Sequence, residues 1–225
     1  MSSPILIIGS SGTGKSTSIE SLPPKETFIN QVVGKPLPFR GWRKNYTTCS
    51  TENPEGNLVI ADNVNTIKKV INNVSLNRPE IKNLIIDDTN YIMSNSLMRK
   101  ATEKGFDKFN EIASDFHSLL DGIGFYREDL NIIFFAHSEQ KDDGKVGIKT
   151  AGKMLDSQFC IEGLFTIVME TFVDSGNYSF ITQNNGRNCA KSPKGMFTEH
   201  LIPNDLLLVT NKIKEYEEDA PEDKE

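Results

Sequence analysis

The stretch Pro4-Ile5-Leu6-Ile7-Ile8-Gly9-Ser10-Ser11-Gly12-Thr13-Gly14-Lys15-Ser16-Thr17 decides how this chain folds. Its first part is a continuous apolar run, the pattern of a strand buried on both faces of a parallel sheet. Its second part, Gly9–Ser16, fits G-x-x-x-x-G-K-[ST] at every position. Glycines let the main chain wrap closely around phosphates, and successive N–H groups form an anion nest at a helix start. Gly9, Ser10, Ser11, Gly12, Thr13, Gly14, Lys15, Ser16 and Thr17 are the expected contacts of a nucleoside triphosphate, ATP with Mg²⁺. Lys15 would reach the β- and γ-phosphates, and the Ser16 hydroxyl would ligate the metal. Ser16–Leu22 reads as a short helix stopped by Pro23-Pro24.

A P-loop needs a carboxylate at a neighbouring strand end to hold Mg²⁺. Leu84-Ile85-Ile86-Asp87-Asp88 offers it, with Asp87 on the metal side. Asp88 stands where a water-polarising residue belongs, or else caps the following helix. Asn131–His137 is another apolar strand with a polar end, so His137 is a candidate sensor of the γ-phosphate or a simple strand cap.

The rest of the chain reads as α/β. Strands are expected at 27–30, 57–61 and 83–86, and a helix capped by Asp62 with Val64, Ile67, Val70, Ile71 and Val74 on one side. Phe106, Phe109, Ile112, Ala113, Phe116, Leu119 and Leu120 keep a helical period. Gln31–Asn53 and polar Ser138–Thr150 read as loops, the latter with a turn at Asp142-Asp143-Gly144. Leu164–Glu170 and Asn177–Gln183 read as strands joined by a turn at Asp174-Ser175-Gly176. A mainly parallel sheet flanked by helices, with a C-terminal antiparallel hairpin, follows.

No apolar run approaches a membrane span, and Met1–Ile5 shows no secretory signal. Cys49, Cys160 and Cys189 are odd in number and form no CxxC pair, so reduced thiols in a cytoplasmic protein are expected. Net charge is −6, of which −5 falls in Tyr216–Glu225, leaving −1 for the rest. Residues 1–215 are therefore read as one nearly neutral domain and 216–225 as a disordered acidic tail. In Lys35–Lys44, Arg40, Arg43 and Lys44 interleave with Phe39 and Trp42, a pattern suited to single strands.

Taken in order, Gly9–Ser16, Lys35–Trp42, Leu84–Thr89, Phe134–His137 and Asn184–Phe197 resemble RecA-like ATPases. More narrowly, they resemble the small phage nucleotide-binding proteins with a minimal RecA-like core, which include the Sak-type single-strand annealing proteins. The resemblance implies a basic hairpin at Gln183–Phe197 reaching a neighbouring subunit's site. Arg187, Lys191 or Lys194 would then act in trans, within a head-to-tail homo-oligomer. It also implies single-stranded DNA bound through Ser138–Lys153, with Lys145, Lys149 and Lys153, and a single-strand-binding protein as a partner in the host cytoplasm. The catalytic Glu that RecA carries after its second strand is missing here, where Asn30-Gln31-Val32-Val33 stands. That shifts water activation towards Asp88 or implies slow hydrolysis. Two other classes stay open: a P-loop kinase of a nucleotide or small metabolite, and a nucleotide-gated binding module. An arginine-rich kinase lid is not evident, since Arg127 is the only arginine between Lys100 and Gly186.

Overall fold

Residues 4–151 and 160–218 are described by the structure, a computed structural model. Strand β1 (Pro4–Gly9) lies inside a mixed sheet. On one side it pairs in parallel with β5 (Asn131–Gln140), followed outward by β4 (Asn83–Asp87), β2 (Thr27–Gln31) and β3 (Leu58–Ile60). On the other side it pairs in parallel with β7 (Ile167–Asp174). Beyond β7 the direction reverses, through β8 (Asn177–Ile181) to β9 (Leu201–Pro203). The hairpin turn between β7 and β8 carries positive φ at both Ser175 and Gly176, as two-residue hairpins favour.

Alternate residues of the central strands feed two cores. Leu6, Ile8, Leu84, Ile86, Ile132 and Phe134 face the helices α2 (Val64–Asn77) and α4 (Asp107–Leu120). Ile5, Ile7, Ile85, Ile133 and Phe135 face the last helix, α5 (Leu206–Glu218), through Leu206, Val209 and Ile213. Each such fully buried side chain contributes roughly 1.5–3 kcal/mol relative to exposure. This two-sided burial is why the strands read as unbroken apolar runs. The short α1 (Trp42–Asn45) lies in the long loop after β2, and α3 (Asn90–Arg99) follows β4 directly.

Several expectations are corrected. The segment after the P-loop, Ser16–Ser21, is a 3₁₀ helix, closed by Leu22 N–H donating to Ile19 O. Helix α2 is capped by Asn63, not Asp62. Asn63 Oδ1 accepts from the N–H groups of Asn65 and Thr66, while Asp62 pairs with Arg99 and Asn95 on α3. Ser138–Thr150 is not all loop. The end of β5 pairs with β6 (Val146–Ile148) around the expected turn. Gln183–Phe197 is not a hairpin but part of an irregular connection between β8 and β9, pinned by the backbone pair Lys191–Val168. It fills the edge of β7 that β8 does not reach. Tyr216, Glu217 and Glu218, expected in a tail, form the end of α5, and residues 219–225 lie outside the described residues. Among the described residues, no helix is long and apolar enough to cross a membrane.

Candidate functional site

The C-terminal ends of β1, β4 and β5 converge on one pocket of about 550 Å³. Gly12 and Gly14 sit at φ +80° and +95°, which explains glycine there. Gly9 is required for a different reason: a Cβ would lie 1.7 Å from Thr171 Oγ1 on β7. The Thr171 and Thr13 hydroxyls share a hydrogen bond of 2.6 Å, and Thr13 also donates to Ser10 O. Lys15 is buried and donates to Gly9 O at 2.6 Å and Ser10 O at 2.8 Å. Burial lowers its pKa to about 8, against the opposing charges of Asp88 and Asp87. Ser11, Gly12, Gly14, Lys15, Ser16 and Thr17 all line the pocket; Ser10 opens instead onto an adjoining polar cavity.

The expected serine–carboxylate pair is formed. Ser16 Oγ donates to Asp87, 3.0 and 3.1 Å from its two oxygens. Burial, then the charge of Asp88, raises the Asp87 pKa to about 6. Hard oxygens at a buried carboxylate short of cationic charge are the donor set Mg²⁺ takes, so the residues fit that metal. Ser16 and Asp87 would hold it, and it would neutralise charge developing on the phosphates.

Asp88 does not cap α3. Its backbone is left-handed, φ +63°, and its carboxylate, 4% exposed, enters the pocket wall. There it pairs with Lys35 and lies 3.6 Å from His137 Nε2. Burial alone would lower the Lys35 pKa, but the hydrogen bond and charge of Asp88 outweigh it and hold the ammonium above its usual value. Burial and then Lys15 push His137 down, favouring neutral imidazole.

Lys35 and Asn90 are site residues that the sequence reading did not assign. Gln31 Nε2 donates to Lys35 O at 2.8 Å, fixing the loop that delivers the ammonium. Asn90 accepts from His137 N–H and donates to Lys149 O, clamping the end of β5. The signal for Asn90 was its place two residues after the acidic pair; Lys35 opens the Lys35–Trp42 segment that carries the resemblance, but no role in the pocket follows from that.

The remaining candidates lie elsewhere. Arg187 is exposed, and its carbonyl accepts from Val146 N–H on β6; neither it, Lys191 nor Lys194 lines the pocket of its own chain. Lys149 lines the adjoining cavity with Tyr91 and Ser138, whereas Lys145 is at the β5–β6 turn near Asp143. Arg40, Arg43 and Lys44 are exposed around α1. Trp42 is half-buried against the core and carries Arg43 over its ring at 4.8 Å, so it is not the bare stacking surface expected. Lys153 lies outside the described residues. Arg127, at the opposite sheet end, donates to the carbonyls of Val74, Ser75 and Arg78, a structural role.

A glycine-rich loop at the tip of a central parallel strand, with the serine–aspartate pair beside it, defines the P-loop NTPase fold. The sequence model of a family described as an AAA domain matches residues 2–193, and the chain belongs to that family, which is of the nucleotide-binding ATPase type. No curated protein matches the chain.

Proposed function

We propose that the chain binds and hydrolyses ATP with Mg²⁺ and acts on single-stranded DNA, in phage-type recombination or annealing of the Sak-type kind. The observation that carries hydrolysis is Asp88, held in a left-handed backbone with its carboxylate in the pocket beside the Ser16–Asp87 pair. In this reading Asp88 polarises the water that attacks the γ-phosphorus as the bond to the β-phosphate oxygen breaks and ADP leaves. His137 donates to the γ-phosphate and reports its presence. Arg187 supplies positive charge to a neighbour's site in a head-to-tail oligomer, with Lys191 and Lys194 beside it. Its exposure outside its own pocket supports that role. Lys149 in the adjoining cavity, and the exposed Arg40, Arg43 and Lys44 around α1 with Lys145 at the β5–β6 turn, support contact with a phosphodiester backbone.

The test is ATP turnover with and without single-stranded DNA across protein concentration. Stimulation by DNA and a steep concentration dependence support the reading; phosphorylation of a small acceptor would mark a kinase instead. Asp88→Asn should keep ATP binding and slow turnover on the order of 10²–10⁴-fold. An unimpaired Asp88→Asn protein removes Asp88 from the mechanism. The Lys35–Asp88 pair favours a second reading, a nucleotide-gated binding module with little turnover, because it occupies the carboxylate that should face water. ATP binding without product formation, with or without DNA, would mark that outcome.

A further inference from the structure

Asp88 is fixed, but the cation that covers it is not. The left-handed Asp88 backbone is one that few residues other than glycine hold without support. Its neighbours supply that support: Val32 N–H donates to Asp87 O, Thr89 N–H to Phe135 O, and Tyr91 N–H to Asp88 O itself. The buried carboxylate is therefore held in the pocket wall.

Lys35 is built the other way. It enters from the connection between β2 and β3, and its main chain is anchored. Gln31 holds its carbonyl, Leu37 is buried among the side chains that face α5, and Pro36 and Pro38 line the pocket with φ fixed by their rings. The freedom lies in the four-carbon stem of the lysine, whose side chain is 45% exposed. Around it, the ammonium groups of Lys15 and Lys35 balance the carboxylates of Asp87 and Asp88. A magnesium-bound triphosphate adds net negative charge to that balance. Its terminal phosphate, which a diphosphate lacks, offers an ammonium more charge and more acceptors than a carboxylate does.

We infer that Lys35 is a latch on Asp88 that the terminal phosphate opens. With a diphosphate bound, the ammonium stays on the carboxylate. With a triphosphate bound, it swings to the γ-phosphate oxygens and frees Asp88 for the attacking water. An ammonium beside a carboxylate stabilises its charged form and so weakens it as a proton acceptor. Asp88 is thus withheld until there is a phosphate to cleave, which reconciles the Lys35–Asp88 pair with turnover. The inference rests on the hydrolysis reading above and gives a role to a residue outside both the P-loop and the strand-end carboxylates.

Calorimetric titration of the full chain with Mg·ADP and with the magnesium complex of the non-hydrolysable imido analogue of ATP tests it. Lys35→Met should weaken the triphosphate analogue by about 10- to 100-fold and leave ADP nearly unchanged, and Lys35→Arg should restore most of that difference. Asp88→Asn removes the competing anion, so it should bind the analogue about 2- to 5-fold more tightly than the parent, with ADP as before. In the Lys35→Met, Asp88→Asn double variant that gain should vanish, because no ammonium is left to release. A purely structural lysine would move both ligands together or neither. A Lys35→Met protein with the parent's ratio of triphosphate to diphosphate affinity overturns the inference. So does an Asp88→Asn protein with no gain for the triphosphate, and this arm decides if Lys35→Met does not fold. If the parent binds neither ligand, the nucleotide reading itself falls, and the latch with it.

Discussion

On the β4–β5 side of β1, parallel strands all end at the same edge and deliver Asp87, Asp88 and His137 into one cluster with buried Lys15 and half-exposed Lys35. On the β7–β9 side the chain runs back and forth. It presents Thr171, Tyr178 and Asn204, none of them charged, from strands and turns that run in opposite directions. Parallel strand ends can concentrate charge because their loops converge. Antiparallel edges instead lay single side chains across the P-loop. One pocket thus has an ionic wall and a neutral wall.

The strongest way to break this comparison is Lys15→Ala. It should weaken binding of ATP and of tripolyphosphate alike, by about 100-fold, as expected for a lost charge-assisted donor. If only ATP weakens, the ionic wall is not where the phosphates go. Asp87→Asn comes next: hydrolysis should vanish, and the Mg²⁺ dependence of ATP binding should flatten, read by titration at several metal concentrations. Equal metal dependence in parent and variant would remove Asp87 from the metal site. Lys35→Met should then destabilise the ligand-free protein by about 1–2 kcal/mol, a loss limited by the ammonium being half exposed, because Asp88 stays buried without its cation. Thermal unfolding reads it, and an unchanged midpoint would show that the pair contributes nothing.

The smallest effect concerns pH. The His137 pKa is depressed in the folded state by burial and by Lys15. As pH falls through the ordinary histidine value of about 6.5, the unfolded chain takes up the proton first, so this residue makes stability decline towards acid. His137→Asn should lessen that decline between pH 7 and pH 5. A variant whose midpoint tracks the parent's across this range would show that the imidazole is not held neutral.

The ionic wall was largely legible in the sequence and the neutral wall was not. Gly9–Ser16 and Leu84–Asp88 are local patterns: an apolar run followed directly by its functional residues. Each strand therefore carries its own label. The fold-back of β8 on β7 is encoded by the Asp174-Ser175-Gly176 turn just before Tyr178, but that Tyr178 and Asn204 reach the P-loop depends on β9 returning beside β8, which nothing near Asn204 encodes. Helix α5 did carry a signal that the reading missed. Leu206, Val209 and Ile213 recur at helical spacing after Asp205, whose carboxylate caps the helix. The acidic residues that follow drew attention to a tail instead. Asp62 reads as the α2 cap from the apolar period that follows it, but the cap is the next residue, Asn63. The two differ by a single position, and only the three-dimensional path of the chain separates them. Trp42 looked like a nucleic-acid contact by composition, yet its ring packs where the loop crosses the core.

Thr171 sets the timing of events at the P-loop. Its hydroxyl occupies the space above Gly9 and holds Thr13, which in turn holds Ser10, so the loop takes its shape when the sheet forms. A ligand then meets a finished cradle and spends little of its association free energy on ordering the backbone. Amide hydrogens from Ser10 to Gly14, which find no backbone acceptor in the protein, should exchange in the empty protein and become protected on saturation with ATP, whereas the Ser18 amide, already bonded to Gly14 O, should change little.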